Sequence, residues 1–161
     1  MKYKPRAVYR VQLNQNFDFS QAADIAGYLK DLGVSHLYCS PVLQAAPGSS
    51  HGYDVVDPSR LNQELGGEEA YQRLCDRLDE LEIGQLLDMV PNHMAITGPE
   101  NPWWWDVLEN GPSSRFASYF DVDWDPASAP YSNLLLLPVL GDHYGRVLEN
   151  GEFKLIHKQG R

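Results

Sequence analysis

Cysteine is scarce in this chain, long apolar runs are missing, and positive charge is outnumbered. The 161 residues contain two cysteines. Cys39 and Cys75 stand apart, without the spacing of a metal site or a redox pair, which points to a reduced, cytoplasmic setting. No apolar stretch approaches the ~18 residues of a membrane span. The basic start, Met1-Lys2-Tyr3-Lys4-Pro5-Arg6, leads into no signal-peptide hydrophobic region. A membrane partner is therefore not expected. Lys and Arg number 13 against 22 Asp and Glu, a formal charge of −9 spread along the chain. That balance repels phosphate backbones and sets nucleic acid aside as a partner. There is no internal repeat. What is present suffices for a core, since 43% of the residues are apolar at the length of one domain.

The first ninety residues are rhythmic. Residues 7–13 alternate, with Ala7, Tyr9, Val11 and Leu13 on one face of a first strand. Ser20 is a candidate cap for a helix whose Ala22, Ile25, Ala26, Leu29 and Leu32 fall at helical spacing, and Gly33 supplies its stop. Residues 34–40 read as a second strand, closed by Pro41 and followed by a long loop. A second helix opens after Gly66-Gly67 with Glu68 and Glu69 in its first turn. Its buried stripe is Tyr71, Leu74, Cys75, Leu78 and Leu81, and Gly84 ends it. The third strand is the run from Gln85. The β-α-β-α-β order, at ~30 residues per unit, implies parallel strands with right-handed crossovers.

That third strand ends abruptly in Pro91-Asn92-His93 and carries Asp88 inside it. Such groups are costly to leave unpaired near a core. The C-terminal end of a parallel strand is also where α/β sheets and barrels place ligands. Afterwards the rhythm breaks. Asn101 can cap a helix that starts at Pro102 and stops at Gly111-Pro112. Residues 146–155 read as two short strands about Asn150-Gly151.

The string Asp88-Met89-Val90-Pro91-Asn92-His93 resembles the first signature region of the α-amylase (glycoside hydrolase 13) superfamily. His51-Gly52-Tyr53-Asp54 resembles the loop that supplies a tyrosine to that superfamily's −1 sugar subsite. Tyr9-Arg10-Val11-Gln12-Leu13, Gly33-Val34-Ser35-His36-Leu37-Tyr38, Ser40-Pro41-Val42-Leu43, Leu136-Leu137-Pro138-Val139-Leu140-Gly141 and the segment from Asn101 through Trp103-Trp104-Trp105 to Gly111 narrow the likeness to the maltooligosyltrehalose synthase family. The resemblance implies an α/β fold, the N-terminal part of a TIM (β/α)8 barrel with about three βα units, plus an inserted subdomain after strand three. On this reading residues 1–97 hold the barrel units and 98–161 begin the insertion.

The implied activity is an isomerase's. The reducing-end α-1,4 link of a maltooligosaccharide becomes an α,α-1,1 link, through the two-carboxylate scheme of retaining glycosidases. The resemblance places the nucleophile, the acid and a third carboxylate at strands four, five and seven. A complete barrel takes roughly 250 residues, so the expectation is an inactive fragment with no catalytic carboxylate of its own and the remainder of the barrel missing. The alternatives are a fragment of an α-amylase-type hydrolase and a stand-alone carbohydrate-binding or interaction module. The expected partner is an α-1,4-glucan, and no cofactor or metal is expected. By resemblance His93 hydrogen-bonds the −1 sugar, its plainer role being a loop tether. Tyr53 offers a flat face and a hydroxyl, or else merely packs its loop. Asp54 and Asp88 orient neighbours, Asp88 as structural support. Asn92 matches a calcium ligand of many amylases, with a structural hydrogen bond as the plainer reading. Gln12 and His51 are candidate outer contacts. Three consecutive indoles on a helix point ~100° apart, so most of Trp103, Trp104 and Trp105 should be core, with one ring, Trp103, near substrate.

Overall fold

Strand β1 (Val8–Val11), β2 (His36–Cys39) and β5 (Gly84–Leu87) form one parallel sheet in that spatial order. The computed structural model describes residues 4–126 and 132–157, so the first three residues of the basic start lie outside the described part. The register pairs Tyr9 with Leu37 and Leu37 with Gln85, and likewise Arg10 with Tyr38 and Tyr38 with Leu86. Each row therefore lies on one face of the sheet. The face carrying Val11, Leu37 and Cys39 is covered by helices α1 (Phe19–Asp24), α2 (Ala26–Asp31) and α3 (Gly67–Glu80). Phe19, Leu29, Leu37, Cys39 and Leu74 are fully excluded from solvent at its centre.

The expected parallel β-α-β-α-β order is present, with four local departures. The first helix is capped by Asp18, not Ser20. Asp18 accepts from the Gln21 N–H while the Gln21 side chain returns to the Asp18 N–H, a reciprocal cap. The helix is also interrupted at Ile25, and Leu32 leaves the apolar stripe for solvent. Second, the long loop after Pro41 holds an antiparallel pair, β3 (Leu43–Ala45) and β4 (Val55–Leu61), with two register shifts. Third, β5 ends at Leu87, and Leu87, Met89 and His93 are exposed. The expected buried strand is the edge of the sheet, and nothing among the described residues pairs with its outer side. On the opposite edge, Val8 and Tyr9 are exposed for the same reason while Val11 and Leu13 are buried.

The fourth departure concerns Gly84. It does not end the helix; Glu82 takes the left-handed turn there with φ 53°. Gly84 instead begins β5 directly beside buried His36, and a Cβ at position 84 would meet the imidazole ring. Glycine is needed for close approach.

Beyond β5, Asn101 accepts from the N–H groups of Trp103 (3.1 Å) and Trp104 (3.0 Å), opening α4 (Pro102–Asn110) as expected. Residues 146–155 do not form strands. Tyr144–Glu149 is a helix, α5, and Gly151 at φ 65° lets the Glu152 N–H close back on the Val147 carbonyl. Asn-Gly serves a helix C-terminus here as readily as a hairpin, since both need a left-handed residue. Among the described residues no helix is long and apolar enough to cross a membrane.

Burial pushes the Cys39 thiol up to about 11, and burial raises Cys75 as well. At pH 8 the Cys39 thiolate should then be roughly 0.1% of the population, against about a quarter for an ordinary thiol near 8.5. Ellman titration at pH 8 should show slow native reaction, faster as pH rises, and two thiols at once in denaturant. Two fast native thiols would contradict the packing of α3 on β2.

Candidate functional site

The face of the sheet opposite the helices gathers polar side chains at the strands' C-terminal ends. Alternation puts Arg10 and Gln12 there from β1 and the residue after it, Tyr38 from β2, and Asp88 just past β5. Asp88 Oδ2 accepts from the Tyr53 hydroxyl at 2.6 Å and the Tyr38 hydroxyl at 3.0 Å. Arg10 Nη2 donates to the Tyr53 oxygen at 3.1 Å. Both terminal guanidinium nitrogens lie 3.1 Å from Gln12 Oε1, and the guanidinium carbon sits 5.5 Å from the Tyr38 ring centre. The Asp88 hydrogen bond is the main cause that raises the Tyr38 phenol above its ordinary range. The bond to Tyr53 likewise raises Arg10.

The loop carrying Tyr53 is fastened along its length. Gln12 Nε2 donates to the His51 carbonyl at 3.0 Å. The Ser49 hydroxyl donates to Asp54 Oδ1 and accepts the Gly52 N–H at 3.0 Å. The Asp54 carbonyl accepts from Ala46, joining the loop to the β3–β4 pair. His51 Nδ1 accepts the Tyr53 N–H at 3.0 Å. The same nitrogen lies 3.8 Å from Asp54 Oδ1. The His51 and Tyr53 rings stack at 5.9 Å and 29°.

His93 closes the arrangement from the far side. Its Nε2 lies 3.2 Å from the Tyr53 carbonyl, which can only accept. Nδ1 lies 3.0 Å from Asn92 Oδ1, which also only accepts, so a neutral ring with one N–H can donate to only one of the two oxygens at a time. Asn92 and His93 also line an open cleft of about 410 Å³ with Val90, Trp103, Tyr119 and Asp121. Trp103 stacks on Phe116 at 5.2 Å and 9°. Of the three indoles only Trp104 is buried; Trp105 is exposed.

The seven expected contact residues thus divide. Gln12, His51, Tyr53 and His93 join one network with the support residue Asp88; Asn92 hangs on it through His93. Asp54 turns to Ser49, and Trp103 sits in the neighbouring cleft. Arg10 and Tyr38 belong to the network and went unmarked, because a polar residue on the second face of an alternating strand reads as solvent-facing. Among the described residues no cluster of His, Cys, Asp and Glu could hold a metal ion.

The alternation, the parallel order and the polar C-terminal end are those of an α/β barrel's first units. A model of the α-amylase catalytic domain matches residues 18–134. The chain belongs to the α-amylase catalytic-domain family. It is 43% identical over 147 residues to a putative maltooligosyl trehalose synthase of Mycobacterium tuberculosis, covering 88% of this chain and 19% of that protein. It is 32% identical over 111 residues to the intracellular maltogenic amylase of Bacillus subtilis, 69% of this chain and 18% of the amylase. A crystal structure of a maltooligosyl trehalose synthase superposes with TM-score 0.86 at 45% identity, over 95% of this chain and 20% of that one. The synthase of Arthrobacter ramosus gives TM-score 0.73 at 46% identity, covering 74% and 16%. The chain thus spans about a fifth of the length of these relatives. Its sheet is the N-terminal part of the family's α/β barrel.

Gly52, buried at φ +78°, turns the loop where a Cβ would stand 2.9 Å from the Pro41 carbonyl oxygen. Gly52→Ala should cost about 1–3 kcal/mol. Urea unfolding measures it, and an unchanged midpoint would show that the loop is not held as described.

Proposed function

We propose that this chain is the N-terminal portion of a maltooligosyltrehalose synthase, contributing one wall of the −1 sugar subsite to an intramolecular transglucosylation of α-1,4-glucans. What carries this reading is the spread of the likeness: 45% identity over 95% of the chain to a synthase, against 32% over 69% to a maltogenic amylase. Tyr53 and His93 are the sugar contacts, with Gln12, His51, Asn92 and Asp54 around them and Trp103 further along the cleft. His93 reaches a sugar hydroxyl by trading its Asn92 contact while keeping the Tyr53 carbonyl. Asp88 is support. The nucleophile and acid come from later strands of the barrel, held ~5–5.5 Å apart. A mutase must also retain the released glucose and exclude water until the glucose's anomeric hydroxyl attacks. A firmly tied loop suits that demand.

Residues 1–97 make up barrel units, and 98–161 begin an inserted subdomain that includes the undescribed 127–131 and 158–161. Its aromatic cluster supports the division, since Trp103 packs with Phe116 and Tyr119, and Trp104 with Phe120, apart from the main core. The two free thiols favour a cytoplasmic setting.

A graft tests the reading. Placed in the Arthrobacter ramosus synthase in lieu of its aligned segment, this chain should sustain conversion of maltopentaose with loss of reducing ends. A hydrolase would instead create one reducing end per bond cut. Rising reducing power would replace the synthase reading with the amylase one. In the same graft His93→Ala should lower kcat/KM by ~1–3 kcal/mol, the cost of a polar contact; unchanged kinetics would leave His93 a tether alone. The 161-residue chain by itself should yield no product.

A further inference from the structure

The Tyr53 hydroxyl proton is committed before any ligand arrives. A guanidinium only donates and a carboxylate only accepts. With Arg10 Nη2 at 3.1 Å and Asp88 Oδ2 at 2.6 Å, the Tyr53 proton must point to Asp88 and its lone pair to Arg10. No proton remains to offer a substrate. One face of the ring is taken by His51.

The geometry points to Arg10 as a positioning residue, one that locks Tyr53 in place with its hydroxyl proton held on Asp88. This deepens the synthase reading and rests on it for the identity of the ligand. Arg10 suits the task because it is braced itself, by two nitrogens on Gln12 and by the Tyr38 ring beneath it. Gln12 also holds the His51 carbonyl, so β1 grips the loop at its backbone and at the tip of Tyr53 together. A flat fork can serve the Gln12 and Tyr53 oxygens at once, whereas a lysine ammonium on a flexible stem holds such a geometry poorly.

Two measurements test this. In the grafted enzyme, Arg10→Met and Tyr53→Phe should each lower kcat/KM about tenfold, and the double variant about tenfold again in total, not a hundredfold, because both remove one anchor. Arg10→Lys should recover part of the loss. A hydroxyl that contacts substrate directly predicts otherwise: Tyr53→Phe is damaging while Arg10→Met, which frees the hydroxyl, is neutral or favourable. Additive losses, or a harmless Arg10→Met, overturn the proposal. The second measurement is a double-variant cycle on the melting temperature of the full 161-residue chain, which requires no activity. Coupled shifts support the Arg10–Tyr53 lock, and additive shifts overturn it. A coupled cycle with an active graft that hydrolyses would instead sink the synthase reading and leave the lock standing.

Discussion

Asp88 Oδ2 accepts hydrogen bonds from two tyrosine hydroxyls that reach it from different parts of the chain, one on β2 and one in the loop between β3 and β4. A single carboxylate oxygen thereby ties the end of the last strand to its neighbour in the sheet and to the segment that crosses above both. The arrangement is possible because strand periodicity is two. The helix-facing row must be apolar to pack against α1 and α3, which leaves the alternate row free to be polar. Arg10, Tyr38 and Asp88 lie on that other face. Core and site are the two faces of one pattern, and shifting a strand's register by one residue would destroy both.

Features set by neighbouring residues were legible in the sequence. The glycine stop at Gly33 and the Asn101-Pro102 start are local chemistry, and both stand where the pattern placed them. The parallel order followed from the spacing of the helical and strand periods. Features set by distant residues were not legible. The β3–β4 pair has no clean alternation, because its register slips twice within three residues. Asn150-Gly151 suits two left-handed turns equally, and only the helical spacing of its surroundings decides between them. The candidate site was visible through its motifs, but its two braces were not. Arg10 and Tyr38 acquire meaning only once the parallel register sets them side by side.

The portion beyond β5 follows a different economy. Asn101 is completely buried, yet its side chain satisfies two helix N–H groups and donates to the Ala95 carbonyl, leaving no polar cost. Around that anchor the packing is mostly aromatic, ring on ring, whereas the main core is mostly aliphatic.

The imidazole of His36 lying across Gly84 has a consequence for how such sequences can vary. The ring is permitted by the glycine, since it fills the space a side chain at 84 would claim. A relative with alanine or larger at position 84 must therefore carry something smaller, or a ring turned elsewhere, at position 36. The two positions are 48 apart in sequence and directly paired in the sheet. The constraint runs one way, since a smaller residue at position 36 leaves Gly84 unopposed while a side chain at 84 requires the ring to move or shrink.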